Sequence, residues 1–150
     1  METPRISIVT PSFEQARYLE GAIESVFGQN YPDLEYLILD GGSQDGSRDI
    51  IERYMARLAF WRSVKDAGQA AAINAGFRRT TGDILGWLNS DDLYMPDALA
   101  AVARTLQPYL DEPCVCYGAC EIFWEGTTWR ELRLALPFDR ERLRTTDFLD

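Results

Sequence analysis

Apolar positions along the chain follow two alternating rhythms. "RISIVTP" (5–11) is a short, nearly continuous apolar run, as in a buried strand. After the loop "SFEQAR", Leu19, Ile23, Val26 and Phe27 recur at i, i+4, i+7 and i+8, one face of a helix. "QNYPD" ends that helix, and "LEYLILD" (34–40) is a second strand. "GGSQDGS" turns the chain. Ser47 fits the N-cap of a second helix, with Ile51, Tyr54, Met55 and Leu58 on its apolar face. A third strand, "AFWRSV" (59–64), and the loop "KDAGQ" lead to a helix marked by Ala70, Ile73 and Phe77, ending near 80–82. "DILGWL" (83–88) reads as a fourth, core strand. Pro96 fits the first position of a fourth helix, striped by Leu99, Val102, Ala103 and Leu106. Two later strands, "CVCYGACEIFW" (114–124) and "TTWRELRL" (127–134), meet at a Glu125–Gly126 turn. "DRERLRTTDFLD" reads as a short helix.

Four successive strand–helix units predict an α/β fold with a mostly parallel sheet. The 150 residues suit one domain with a real core. No window approaches the roughly 18 apolar residues of a membrane span. The N-terminus lacks a signal-peptide layout, so a cytoplasmic location is expected.

Charge and residue inventory narrow the chemistry. Asp plus Glu number 24 against 15 Lys plus Arg, a net charge of -9. That balance argues against a nucleic-acid partner. The chain has no histidine, which removes a Ser-His-Asp triad, a Cys-His pair and His-ligated zinc. Any metal chemistry favours oxygen ligands and hard cations. Cys114, Cys116 and Cys120 lack a fourth zinc ligand, and the plainer reading places them in the core. Trp61, Trp87 and Trp124 could stack on a sugar or base, but Trp near strands is more often core.

In parallel sheets, ligands bind beyond the carboxyl ends of the strands. Four ends here carry polar groups: Thr10–Pro11–Ser12; Asp40 with Gly41, Gly42 and Ser43; Asp66 with Gly68 and Gln69; and Asn89–Ser90–Asp91–Asp92. The glycines at 41, 42 and 46 miss the spacing of a dinucleotide fingerprint, and no P-loop motif occurs. These absences count against an unrelated NAD-dependent or nucleotidyltransferase reading. Asp40, on the last strand residue, could accept hydrogen bonds from a base or ribose. Asp91 and Asp92 are adjacent like charges. Taken alone, either could cap the next helix. Taken as the fourth polar strand end in a series, they point to a cation. Mg²⁺ or Mn²⁺ would reconcile an acidic protein with a diphosphate and stabilise a diphosphate leaving group.

The ordered segments "SIVTPSFEQARYLEGAIESVFGQNYPDLEYLILDGGSQDGS" and "KDAGQAAAINAGFRRTTGDILGWLNSDDLYMPDAL" resemble the family 2 glycosyltransferases of GT-A fold. The likeness spans Ile6 to Leu106. The tail "LPFDRERLRTTDFL" is similar to a segment of one bacterial branch, just before its acceptor-side half. The resemblance implies that Thr10, Pro11, Ser12 and Glu14 line a nucleotide pocket. It implies that Asp40 contacts the base, commonly uracil, with Gly42 and Ser43 beside it. Asp66, Gly68, Gln69 and the segment to Asn74 would lie near the ribose and diphosphate. Ser90–Asp91–Asp92 would fill the place of the metal-binding D-x-D element. Asp92 is the first choice of ligand to Mn²⁺ or Mg²⁺, with Asp91 on the metal or on the sugar–ribose side. Ala71 and Ala75 stand where the branch often has an acidic and a basic residue, and Asn89 where many members have Asp.

The implied reaction moves a sugar from a nucleotide-sugar, UDP-linked, to an acceptor hydroxyl, usually with inversion. The implied setting is polysaccharide or cell-envelope biosynthesis at the cytoplasmic face of the inner membrane, with a carbohydrate or lipid-linked acceptor. Inversion needs a general base. In the resembled family this is an Asp or Glu of the acceptor-side half, and neither Asp147 nor Asp150 matches it. Residues 1–150 are therefore expected to be a single GT-A domain stopping before that half, with donor-binding machinery but no assigned catalytic base. A non-catalytic nucleotide-sugar-binding module is the alternative. A sheet interrupted there would expose apolar surface, which pairing into a homodimer would cover.

Overall fold

The computed structural model describes residues 3–135, 137 and 138. They divide into two compact units that part between Pro113 and Cys114. The first unit alternates β1 (Ile6–Ser12), α1 (Ala16–Phe27), β2 (Leu34–Asp40), α2 (Ser47–Tyr54), β3 (Phe60–Ser63), α3 (Gln69–Phe77), β4 (Ile84–Trp87) and α4 (Ala98–Leu106). The four strands form one parallel sheet in the order β3-β2-β1-β4. β1 is buried at all seven positions because it is central and both faces are covered.

Alternation along the strands sorts the core into two layers. Ile6, Ile8, Tyr36 and Ile38 pack with Leu19, Ile23 and Val26 of α1, Ile51 of α2 and Leu99 of α4. Val9, Leu37 and Leu39 face the other way, onto Ala72 and Ala75 of α3. The register Ile6↔Leu34 through Ser12↔Asp40 brings the carboxyl ends of β1 and β2 level. Glu35 ties the opposite end of the sheet. It accepts from Ser7 Oγ (2.5 Å) and from the Thr81 N–H (2.8 Å) and Oγ1 (2.9 Å).

Several expected boundaries shift for identifiable reasons. Ser47 is the first residue of α2, not its cap; Gly46 precedes it at φ 99°. Asp45 does the capping work, accepting from the Ser47 N–H (3.0 Å) and Oγ (2.6 Å). Asp45 also accepts from the N–H of Ala16 at 2.8 Å, tying the starts of α1 and α2. α4 begins at Ala98 rather than Pro96, after Asp97 at φ 63°. The Leu99 N–H is satisfied by Gln29 Oε1 at 3.2 Å.

α3 buries Ala72, Ala75 and Gly76, not the Ala70–Ile73–Phe77 stripe. The helix lies too close to the sheet for large side chains: a Cβ on Gly76 would stand 2.5 Å from Val9 Cγ1. β4 is an edge strand of this sheet rather than a core strand, and Leu85 and Trp87 are exposed.

The second unit contains an antiparallel hairpin of β5 (Cys120–Phe123) and β6 (Arg130–Arg133). These strands are shorter than the runs read from the sequence. Cys114 and Cys120 are exposed and Cys116 is half-buried, so they are not core positions. Trp124 is exposed too, its ring 6.5 Å from that of Trp129, whereas Trp61 packs half-buried against the first unit's core. The helix expected over 139–150, with Asp147 and Asp150, lies outside the described residues. Among the described residues no helix is long and apolar enough to cross a membrane.

Candidate functional site

The carboxyl ends of β1 and β4 and the start of α3 enclose a cleft of about 280 Å³. Pro11, Ser12, Phe13 and Gln15 form one wall. Asp66, Gly68, Gln69 and Ala72 form a second, and Asn89, Ser90 and Asp91 a third. The cleft holds Pro11, Ser12, Asp66, Gly68, Gln69 and Asp91 from the predicted set. Among the described residues, its lining has no Lys or Arg and carries two carboxylates, Asp66 and Asp91.

Ser12 is 6% exposed, and its buried Oγ has no hydrogen-bond partner among the described residues. A buried unpaired hydroxyl is unfavourable. The Gly68 N–H donates to Asp66 Oδ1 at 2.8 Å, which shapes the entry to α3. Gly68 takes φ 99°, a conformation that favours glycine. The N-terminal end of α3 therefore faces the cleft, where its dipole favours an anion.

Other predicted residues support the cleft without lining it. Thr10 is fully buried, and its Oγ1 lies 2.9 Å from the Tyr36 hydroxyl within the sheet. Asp40 is also fully buried. Its Oδ2 accepts from the N–H groups of Gly42 (3.0 Å) and Ser43 (2.8 Å) and from Ser63 Oγ (2.6 Å). Its Oδ1 accepts from Ser43 Oγ at 2.5 Å. Four donors engage this carboxylate, so it folds the Gly41–Gly42–Ser43 turn rather than offering an open acceptor to a base.

Glu14 and Ser43 clamp the β1 and β2 loops together. The Glu14 N–H donates to Ser43 Oγ (2.8 Å), and the Gln44 N–H donates to Glu14 Oε1 (2.9 Å). Gly42 is held at φ 87°, with Lys65 N 3.1 Å from where a Cβ would be. Asn74 is exposed on α3, away from the cleft lining. Ala75 is buried against the sheet, so its departure from the family pattern falls on the packed side of α3.

The Asp pair does not cap α4, which starts at Ala98. Asp91 stands in the cleft wall. Asp92 Oδ2 accepts from Asn89 Nδ2 at 3.0 Å, and the Asp92 N–H donates to the Asn89 carbonyl at 3.2 Å. Partial desolvation raises the Asp92 pKa; the Asn89 amide opposes this and the Asp91 charge adds to it. A divalent cation would relieve both the desolvation and the repulsion. The described residues contain no group of three or more carboxylate or thiolate ligands, so ligand oxygens would have to complete its shell.

Phe13 was missed by the sequence reading. It is 63% exposed at the cleft mouth, beside Gly41. Its signal was an apolar residue placed just beyond a strand among polar neighbours.

A parallel α/β sheet with a carboxylate-bearing cleft at its carboxyl ends has a candidate site where open α/β sheets bind ligands. The model of "Glycosyl transferase family 2" matches residues 7–149, and the chain belongs to that family. It is 35% identical over 108 residues to an uncharacterized glycosyltransferase of Nostoc sp., covering 69% of this chain and 33% of the relative. It is 32% identical over 105 residues to an uncharacterized glycosyltransferase of Mycobacterium tuberculosis, covering 69% and 40%. The fold is GT-A. The mannosyltransferase PcManGT of Pyrobaculum calidifontis, solved with GDP-Man and Mn²⁺, superposes with TM-score 0.64 at 26% identity, over 79% of this chain and 35% of that one. TarS of S. aureus, solved with UDP-GlcNAc, superposes with TM-score 0.63 at 20% identity, over 70% and 32%. The chain thus spans about a third of the length of these relatives.

Proposed function

We propose that this chain is the donor-binding portion of an inverting glycosyltransferase that holds a UDP-linked sugar through Mg²⁺ or Mn²⁺. One observation carries the reading: a cleft with no Lys or Arg in its lining among the described residues brings Asp91 together with the N-terminal end of α3. Two carboxylates alone would repel a diphosphate. With a cation on Asp92 and Asp91, the same groups attract it. The bound cation supplies Lewis-acid stabilisation of the diphosphate leaving group.

The chain's own residues divide the remaining work. Ser12 Oγ and the first turn of α3 receive ligand oxygens. Phe13 offers its ring to the base. Asp40, Thr10, Glu14, Gly42 and Ser43 hold the loops that form the pocket. The PcManGT complex with GDP-Man and Mn²⁺ supports the metal–donor pairing; GDP is the competing nucleotide. The acceptor is carbohydrate or lipid-linked, and residues 1–150 belong to one GT-A domain whose acceptor-side half supplies the general base. A homodimer is the proposed assembly, because Leu85 and Trp87 are exposed on one face of β4.

Calorimetric titration of UDP with and without Mn²⁺ tests the reading. Binding is expected only with the metal, and Asp92→Ala is expected to abolish it. UDP binding that ignores both Mn²⁺ and that substitution would refute the metal role. Binding without donor hydrolysis or transfer would favour the non-catalytic module.

A further inference from the structure

We propose that Gln69 is a positioning residue for the metal carboxylate of Asp92, acting through Asn89; this rests on the donor–metal reading above. Gln69 Nε2 donates to Asn89 Oδ1 at 2.7 Å. Asn89 Nδ2 then donates to Asp92 Oδ2 at 3.0 Å. A primary amide has one acceptor end and one donor end. With Gln69 occupying the acceptor end, the amide can present only its NH₂ to Asp92. The opposite orientation would set a carbonyl against the carboxylate.

The relay therefore fixes one oxygen of Asp92. No hydrogen bond among the described residues engages Asp92 Oδ1, which remains available to a cation. The three residues come from separate places, the start of α3 and the end of β4, so the relay joins two walls of one cleft. The fold does not need Gln69 for α3 to begin, because Gly68 and Asp66 already shape that entry. Gln69 is itself exposed. Its side chain is ordered by Asn89, and the consequence is felt at Asp92. Outer-shell partners of this kind commonly tune metal affinity.

The test counts unbound Mn²⁺ by electron paramagnetic resonance, on the whole chain at saturating UDP. Gln69→Met keeps the side-chain length and removes the donor. It is expected to weaken Mn²⁺ binding by roughly 10–100-fold. Asn89→Ala should do the same, and the double variant should bind no more weakly than Asn89→Ala alone. The Asn89 side-chain amide resonances should move in Gln69→Met, while the melting temperature without ligand stays close to that of the unaltered chain. Unchanged Mn²⁺ affinity in Gln69→Met, or losses that simply add in the double variant, would overturn the relay. Gln69→Ala provides a second donor-free variant should the first fold poorly. An unaltered chain that shows no Mn²⁺-dependent UDP binding would instead overturn the donor–metal reading itself.

Discussion

Asp92 concentrates the electrostatic conflict of the site in one side chain. Its pKa is raised by desolvation and by Asp91, so the folded chain holds that proton more tightly than the unfolded chain does. The ionised carboxylate is then a small burden on the fold, and the burden fades as pH falls through the raised value. Asp92→Asn should therefore raise the melting temperature of the unliganded chain near neutral pH while abolishing Mn²⁺-dependent stabilisation. Circular-dichroism melts with and without the metal check both halves. Mn²⁺ affinity should also begin to fall at a higher pH than an ordinary aspartate would give, because protonation competes with the metal. Phe13→Ala should weaken UDP binding by about 1–3 kcal/mol if the ring stacks on the base, as read by titration at constant Mn²⁺.

Hydrophobic period placed the elements well, because β1, β2 and α1 are buried along whole faces. It failed where burial depends on a neighbour's distance. α3 packs through Ala72, Ala75 and Gly76, and small residues leave no strong stripe. Gly76→Ala should destabilise the fold by roughly 1–3 kcal/mol, since its Cβ would press on Val9; urea denaturation measures this. β4 read as core because its residues are apolar, although the sheet leaves it an edge.

Glu35 shows the reverse balance to Asp92. Burial pushes its pKa up, but Ser7, Thr81 and the Arg5 charge outweigh burial and leave it lowered. Its contribution is present above the ordinary glutamate value of about 4.3 and is lost as pH falls through the lower folded value. Glu35→Gln should lower the melting temperature at neutral pH, with the gap to the unaltered chain closing on acidification.

At the scale of the molecule, parallel topology is what turns scattered polar residues into one site. Ser12 and Asp91, 79 positions apart in sequence, line one cleft because β1 lies beside β4. Of the Asp pair, Asp91 lines the cleft. The convergence of polar strand ends was legible from the sequence. The division of labour was not. Asp40 and Thr10 look like ligand contacts in sequence, yet hydrogen bonding to Ser43, Ser63 and Tyr36 makes them supports. Such pairings form across strands and leave no local trace. The family match and the GT-A neighbours agree with the fold, over about a third of each relative's length.

The central claim is that this cleft binds a nucleoside diphosphate through a divalent cation on the Asp pair. A thermal-shift panel of UDP, GDP and ADP, each with and without Mn²⁺, tests it most directly. A ligand at about 100 times its Kd stabilises by about 2.7 kcal/mol. The account predicts a clear upward shift with UDP and Mn²⁺ together, none with either alone, and its loss in Asp92→Ala. An equal shift without metal, or one that survives Asp92→Ala, would contradict it.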